Sequence, residues 1–349
     1  MVSLTAETIK AFGFYRKGDI TQSPPFEFVE IDRPVASGRD LLVEVRAVSV
    51  NPTDLRTRDA KKEDDHSLTI VGRDAAGVVL HTGEDCSLFE VGDEVFYAGT
   101  NNRPGSLSEL HLVDERIVGR KPKNLDFPHS AALPLTGLTA MEALFDRLGV
   151  SELPHENKGK KILIIGAAGG VGSVATQIAK LAGLEVIGTA SRTESSEWAK
   201  GHGADWIINH HQPFGPQLHE LEIEEVDFIF CLTNVDDHMA NMAEVIMPQG
   251  KICTILPAFK PLDLRLFSKS VSLSYELMYT RSVFGTEDMV RQHHLLNQLA
   301  DWVESGLVKS TMTRHFQPIN EKNLEEAYQQ LLTSKTIGKI VLEGPLTKD

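Results

Sequence analysis

Residues Lys160–Gly183 read KKILIIGAAGGVGSVATQIAKLAG, and the fold is decided here. Lys160–Ile165 ends in four apolar residues, the pattern of a strand covered on both faces. After it, Val171, Val174, Ala175, Ile178 and Leu181 recur at helical spacing. Between strand and helix lies Gly166-Ala167-Ala168-Gly169-Gly170-Val171-Gly172. A strand, a glycine turn and an amphipathic helix, in that order, give a glycine motif the context of a dinucleotide fingerprint. Gly169 and Gly170 let the backbone approach a pyrophosphate, whose charge suits the open N–H groups of a helix N-terminus. Gly172 lets the helix lie close to the strand. The expected cofactor-binding residues are therefore Gly169, Gly170, Val171 and Gly172. Alanine takes the first position of the motif, as Ala167-x-Gly169-x-x-Gly172. The bland alternative is a tight turn with no ligand.

The end of the next strand should carry the choice of cofactor. A carboxylate there, roughly 20 residues beyond the glycines, accepts from the ribose 2′-OH of NAD. Here the strand runs Val186-Ile187-Gly188-Thr189-Ala190-Ser191-Arg192, and no carboxylate appears before Glu194. Ser191 can donate to a 2′-phosphate and Arg192 can pair with it through its planar fork. NADPH is the expected cofactor.

Further strands follow at Glu185–Thr189, Trp206–Asn209, Val226–Leu232 and Lys251–Leu256, with helical lengths between them. Val235–Met247 is one such helix, stopped by Met247-Pro248-Gln249-Gly250. This alternation predicts a doubly wound parallel sheet. On the N-terminal side, Ala131–Arg147 reads as a helix. The first third is β-rich, with Leu41–Val50, Ala76–Leu80 and Glu94–Tyr97 set off by turns such as Gly38-Arg39-Asp40 and Val91-Gly92-Asp93. Helices near Gln292–Glu304 and Glu321–Leu332 and a strand at Lys339–Leu342 break the βα rhythm, so the tail should return to the first domain.

The whole chain fits two domains: 349 residues, 41% hydrophobic and 24% charged. A net charge of −14 argues against nucleic acid or an anionic membrane as the main partner. No segment has the roughly 20 apolar residues of a membrane span. The start, MVSLTAETIK, has no apolar core of signal-peptide length, which points to the cytoplasm. Cys86, Cys231 and Cys253 form no CxxC pair, and the latter two read as buried strand residues.

Set beside these, Asn51-Pro52-Thr53-Asp54, Gly72-Arg73-Asp74-Ala75-Ala76-Gly77, Val91-Gly92-Asp93-Glu94-Val95, Leu135-Thr136-Gly137-Leu138-Thr139-Ala140 and Gly338-Lys339-Ile340-Val341-Leu342 give the chain a family likeness. It resembles the medium-chain dehydrogenase/reductase superfamily, in its zinc-free, quinone-oxidoreductase-like branch. The resemblance implies an α/β protein. A GroES-like β-rich catalytic domain (1–135 and 283–349) would be interrupted by a Rossmann domain with a doubly wound parallel sheet (136–282).

Zinc-dependent relatives carry Cys at the Asn51 position, His at the Arg73 position and a further Cys near Ala132. Their structural zinc uses four cysteines in the stretch matching Tyr97–Leu107. Neither set is present, and an arginine cation would repel the metal. No metal is expected. The pairs His210-His211 and His293-His294 are read as solvated, with side chains that diverge. The resemblance also implies a proton-passing hydroxyl at Thr53, a nicotinamide contact at Thr136 and a pyrophosphate contact at Lys339. Asp54 is read as structural. Some quinone reductases place a Tyr two residues beyond the matching Asp, where this chain has Arg56, so the proton donor is not named by the sequence.

Without a metal, a quinone or an α,β-unsaturated carbonyl is the expected substrate, because it spreads the charge that arriving hydride creates. Asn51, Thr53 or a ribose hydroxyl of the cofactor would hold the oxygen, with Arg73 as a cation behind them. A non-catalytic NADPH-binding redox sensor and a zinc alcohol dehydrogenase are the competing readings. Val271–Met278 reads as a long apolar edge strand that invites pairing with a second copy, so a homodimer is expected.

Overall fold

The computed structural model describes residues 7–17 and 26–348. The reading of the first six residues therefore lies outside the described ones. The chain divides into two compact units, Met1–Leu135 with Tyr279–Asp349, and Thr136–Met278. The second segment of the outer unit begins at Tyr279, four residues before the sequence-based boundary.

The inner unit is built on β1 (Lys161–Ile165), α1 (Gly170–Leu181), β2 (Glu185–Thr189), α2 (Thr193–Gly201), β3 (Trp206–Ile208), α3 (Phe214–Glu220), β4 (Val226–Cys231), α4 (Val235–Val245), β5 (Ile246–Thr254), α5 (Leu264–Ser268) and β6 (Ser272–Tyr275). The sheet order is β3-β2-β1-β4-β5-β6 with every pairing parallel, a doubly wound sheet with its switch point between β1 and β4. Apolar side chains of β1, β4 and β5 form the core with Val235, Met242 and Val245 of α4. Cys231 and Cys253 are buried in β4 and β5, and burial pushes their thiols up to about 11 and about 12. Both are poor nucleophiles.

The outer unit is β-rich. Its larger sheet runs Met312–Phe316, Lys339–Glu343, Asp40–Ser49, Asp74–Thr82, Glu94–Tyr97, Val118–Arg120, with Leu110–Asp114 also paired to Asp40–Ser49. All of these pairings are antiparallel except Met312–Phe316 with Lys339–Glu343. A smaller sheet joins Glu27–Asp32, Thr8–Phe14 and Thr69–Ile70. The tail thus adds two strands to the first domain's sheet.

Three expectations change. Ala131–Arg147 is not one helix: Phe127–Ala131 ends, a new helix runs Pro134–Met141, and Glu142–Arg147 continues as a π-helix. Pro134 causes the break, since it disfavours helical backbone at Leu133 and is itself suited to a first helical position. The edge strand is four residues, not eight: Glu276 already turns its side chain into the interior. The histidine pairs do not diverge either. The His210 and His211 rings meet at 4.4 Å, and His293 is a core residue set edge-on against Phe89.

Candidate active site

In the inner unit, the turn after β1 is shaped by close approach. A Cβ on Gly172 would stand 2.3 Å from the Gly166 carbonyl oxygen and 2.7 Å from Ala167 backbone. Only glycine allows α1 to start so near β1. Gly166 sits at φ +91°, and its N–H donates to the Thr189 hydroxyl at 3.0 Å, which ties the turn to the end of β2. Gly169 is the N-cap, and Ser173 N–H to Gly169 O (2.9 Å) is the first bond of the helix ladder. The amides of Gly170, Val171 and Gly172 precede it, so they are the helix donors available to an anion. Ser191 and Arg192 are exposed just beyond β2, and the Arg192 backbone is fixed by Ser195 at the start of α2. Thr136 is buried in the helix Pro134–Met141.

In the outer unit, Asn51, Asp74 and Lys339 form a buried cluster. Asn51 Nδ2 donates to Ser49 O (3.0 Å) and to Asp74 Oδ2 (2.9 Å). Lys339 Nζ donates to Val50 O (3.2 Å), Asp74 Oδ2 (3.0 Å) and Asn51 Oδ1. Asp74 Oδ1 accepts from the Leu135 N–H at 2.6 Å. Asp54 caps the helix Pro52–Asp59 by accepting from Asn51 N–H (2.8 Å), and it also takes Gly72 N–H (3.2 Å) and the Tyr328 hydroxyl (3.0 Å). Burial raises the Asp54 pKa, and the Arg73 cation works against that shift. Arg73 is itself buried and donates through Nη1 to Thr100 O at 2.9 Å.

These bonds revise two expected roles. An ammonium has three N–H donors and an amide two. Lys339 spends all three inside the outer unit and keeps none for a pyrophosphate. Asn51 spends both and keeps none for a substrate oxygen. Thr53 is half-buried, and its hydroxyl faces the phenol of Tyr279. Two participants were not singled out from the sequence: Asp74, which anchors the cluster, and Tyr279, a buried phenol whose hydroxyl has no hydrogen-bond acceptor. Asp74 stands inside a recognisable motif, but nothing local to MYTR marks Tyr279.

Zinc does not fit this outer unit. Asn51, Arg73 and Ala132 offer a committed amide, a cation and a methyl group, and Lys339 adds a second cation. Among the described residues no group of three or more His, Cys, Asp or Glu could hold a metal ion. None of the helices there is long and apolar enough to cross a membrane.

Sequence comparison places both units. Residues 37–123 match the alcohol dehydrogenase GroES-like domain, and residues 170–297 match the zinc-binding dehydrogenase family. The class is that of two-unit oxidoreductases with a GroES-like and a Rossmann-like part. The chain belongs to the medium-chain dehydrogenase/reductase superfamily. A zinc-type alcohol dehydrogenase-like protein of Staphylococcus epidermidis is 41% identical over 335 residues, covering 96% of this chain and 99% of that one. The NADPH-dependent alkenal/one oxidoreductase of Arabidopsis thaliana chloroplasts is 30% identical over 312 residues, with 86% and 71% covered. A Rhizobium etli crystal structure, named after zinc-dependent alcohol dehydrogenases, superposes with a TM-score of 0.91 at 45% identity, covering 97% of this chain and 98% of that one.

Proposed function

We propose that this protein is a zinc-independent, NADPH-dependent reductase of quinones or α,β-unsaturated carbonyl compounds, acting in the cytoplasm as a homodimer. One observation carries the reading. Of the positions that would ligate a catalytic zinc, Asn51 is tied into a buried cluster with Asp74 and Lys339, Arg73 is a cation and Ala132 a methyl group. Charge on a substrate oxygen must then be met by hydrogen bonds and a fixed cation. Those suffice more readily when conjugation spreads the charge than when it is localised as an alkoxide.

The inner unit suits a phosphate-bearing dinucleotide. Gly170, Val171 and Gly172 amides would take the pyrophosphate, Ser191 and Arg192 the 2′-phosphate, and Thr136 would lie along the nicotinamide. When bound, NADPH supplies the hydride. In the outer unit, Thr53 offers a hydroxyl to the substrate oxygen and Arg73 a buried positive charge, while Asn51 and Lys339 position that wall. The alkenal/one activity of the Arabidopsis relative supports this substrate class. Dimer formation is supported by the exposed apolar Phe259, Leu264, Phe267, Tyr275 and Leu277 in the segments flanking the β6 edge. The test is NADPH consumption with a panel of quinones and enones. Steady turnover is expected, and binding without turnover would favour a sensor.

A further inference from the structure

The carbonyl-reductase reading gives the substrate's oxygen the Thr53 hydroxyl and the Arg73 charge, and a further buried donor lies beside them. Tyr279 opens the second segment of the outer unit, and only 3% of its surface is exposed. Its hydroxyl faces that of Thr53, which can donate to it, but its own proton is given to no acceptor among the described residues, and neither is that of Arg73 Nε. Buried donors are normally satisfied, because leaving one unmade forfeits its hydration without return. Here two lie in one neighbourhood: the Arg73 guanidinium is the strongest charge acting on the Tyr279 phenol, and Thr53 is the hydroxyl facing it. The nearby carboxylates take their hydrogen bonds elsewhere and none from Tyr279. Asp54 is committed to Asn51, Gly72 and Tyr328, and Asp74 to Asn51, Lys339 and Leu135. Their negative charge also disfavours a full anion such as phosphate beside Tyr279. What remains suited is a neutral acceptor that gains charge during reaction.

We propose that the Tyr279 hydroxyl and Arg73 Nε–H are the donor pair that receives the substrate's carbonyl oxygen, which makes Tyr279 a catalytic residue. The inference rests on the reductase reading. In an enone, hydride from NADPH adds to the β-carbon, and the C=C pair moves to form an enolate with its charge on the oxygen. Tyr279 donates a hydrogen bond to that oxygen and keeps its own proton. A proton from water at the α-carbon completes the saturated carbonyl. Burial holds the phenol's pKa well above its usual value, so Tyr279 is a neutral donor throughout the working pH range.

The test is Tyr279→Phe, read in three ways. Removing one donor to a developing oxyanion should lower kcat/KM for enone reduction by about 10²- to 10³-fold. The aldehyde 4-dimethylaminocinnamaldehyde absorbs at longer wavelength when its oxygen is hydrogen-bonded. It should show that red shift on the parent protein without cofactor and lose it on the variant. The Tm should change little, because the deleted hydroxyl faces only the Thr53 hydroxyl and donates to no acceptor in the fold. Activity within about twofold of the parent with the red shift retained would overturn the proposal. So would a parent that gives no shift, or a variant that loses Tm and activity together while keeping the shift. If the parent reduces no enone or quinone, the reductase reading falls and the dye decides Tyr279 alone: a shift lost in the variant supports the donor role, and an unchanged shift refutes it.

Discussion

Replacing Glu276 with Gln should remove a pH dependence of stability from the inner unit. The Glu276 side chain is fully buried after β6 and takes an ion pair from Arg147 Nε at 2.8 Å. Its pKa is pushed up from 4.5 to about 8, first by burial and then by the charge of, and hydrogen bond with, the Glu142 carboxyl; Arg147 offsets part of this. Because the folded pKa is raised, the folded chain keeps a proton that the unfolded chain has released between those two values. Stability is therefore full below about pH 4.5 and is lost as pH rises towards 8. Each pH unit is worth about 1.4 kcal/mol, so the window holds at most about 5 kcal/mol, and relaxation around a buried pair reduces that to roughly 2–3. The glutamine amide of Glu276→Gln would still accept from Arg147, could donate to Glu142, and does not titrate. Urea unfolding at pH 5.5, 6.5, 7.5 and 8, followed by Trp198 and Trp206 fluorescence, measures the difference between variant and parent. The variant should exceed the parent by less than about 1 kcal/mol at pH 5.5 and by about 2–3 kcal/mol at pH 8. His111, whose pKa burial lowers to about 4, makes stability fall at acid pH, but equally in both proteins, so it cancels. Parallel curves across the range would refute the raised pKa of Glu276.

Arg192→Ala should weaken NADPH binding about tenfold to a hundredfold and spare NADH, as the loss of one charge-assisted bond implies, measured by fluorescence titration. Equal parental affinities would refute the 2′-phosphate assignment. Lys339→Met strands the buried Asp74 carboxylate and should cost about 3–5 kcal/mol in thermal or urea unfolding. An unchanged Tm with a raised KM for NADPH would restore Lys339 to the pyrophosphate. Gly172→Ala drives a Cβ into immovable backbone, so it should destabilise the inner unit by roughly 2 kcal/mol or more and abolish tight cofactor binding. Light scattering should report twice the 38.5 kDa chain mass, and Leu273→Pro, placed where Leu273 pairs with Ile252 at the sheet edge, should shift the protein to monomer.

Periodicity carried the inner unit because its strands are buried on both faces. β2 and the helix Glu321–Leu332 lie where their residues predict, and β1 differs by one residue. The glycine turn was legible for the same reason: Gly172 is dictated by a backbone contact, which admits one residue type. The break at Pro134 was visible in principle, but the apolar run on either side of it outweighed one proline. Lys339 and Asn51 were misread at the level of single bonds. Their partners lie 265 and 23 residues away at Asp74, and no local pattern records such a pairing. Tyr279 and the Glu142–Glu276 pair were silent for the same reason, since the fold alone brings their surroundings together.

Transfer of the hydride itself is the most direct measurement. Chelator-washed protein is incubated with NADPH carrying deuterium at both C4 positions and with a simple enone, and the product is analysed by mass spectrometry. The account predicts a saturated carbonyl with one deuterium at the β-carbon, formed at the same rate with or without added zinc. Product without deuterium, or turnover that appears only when zinc is restored, would contradict it.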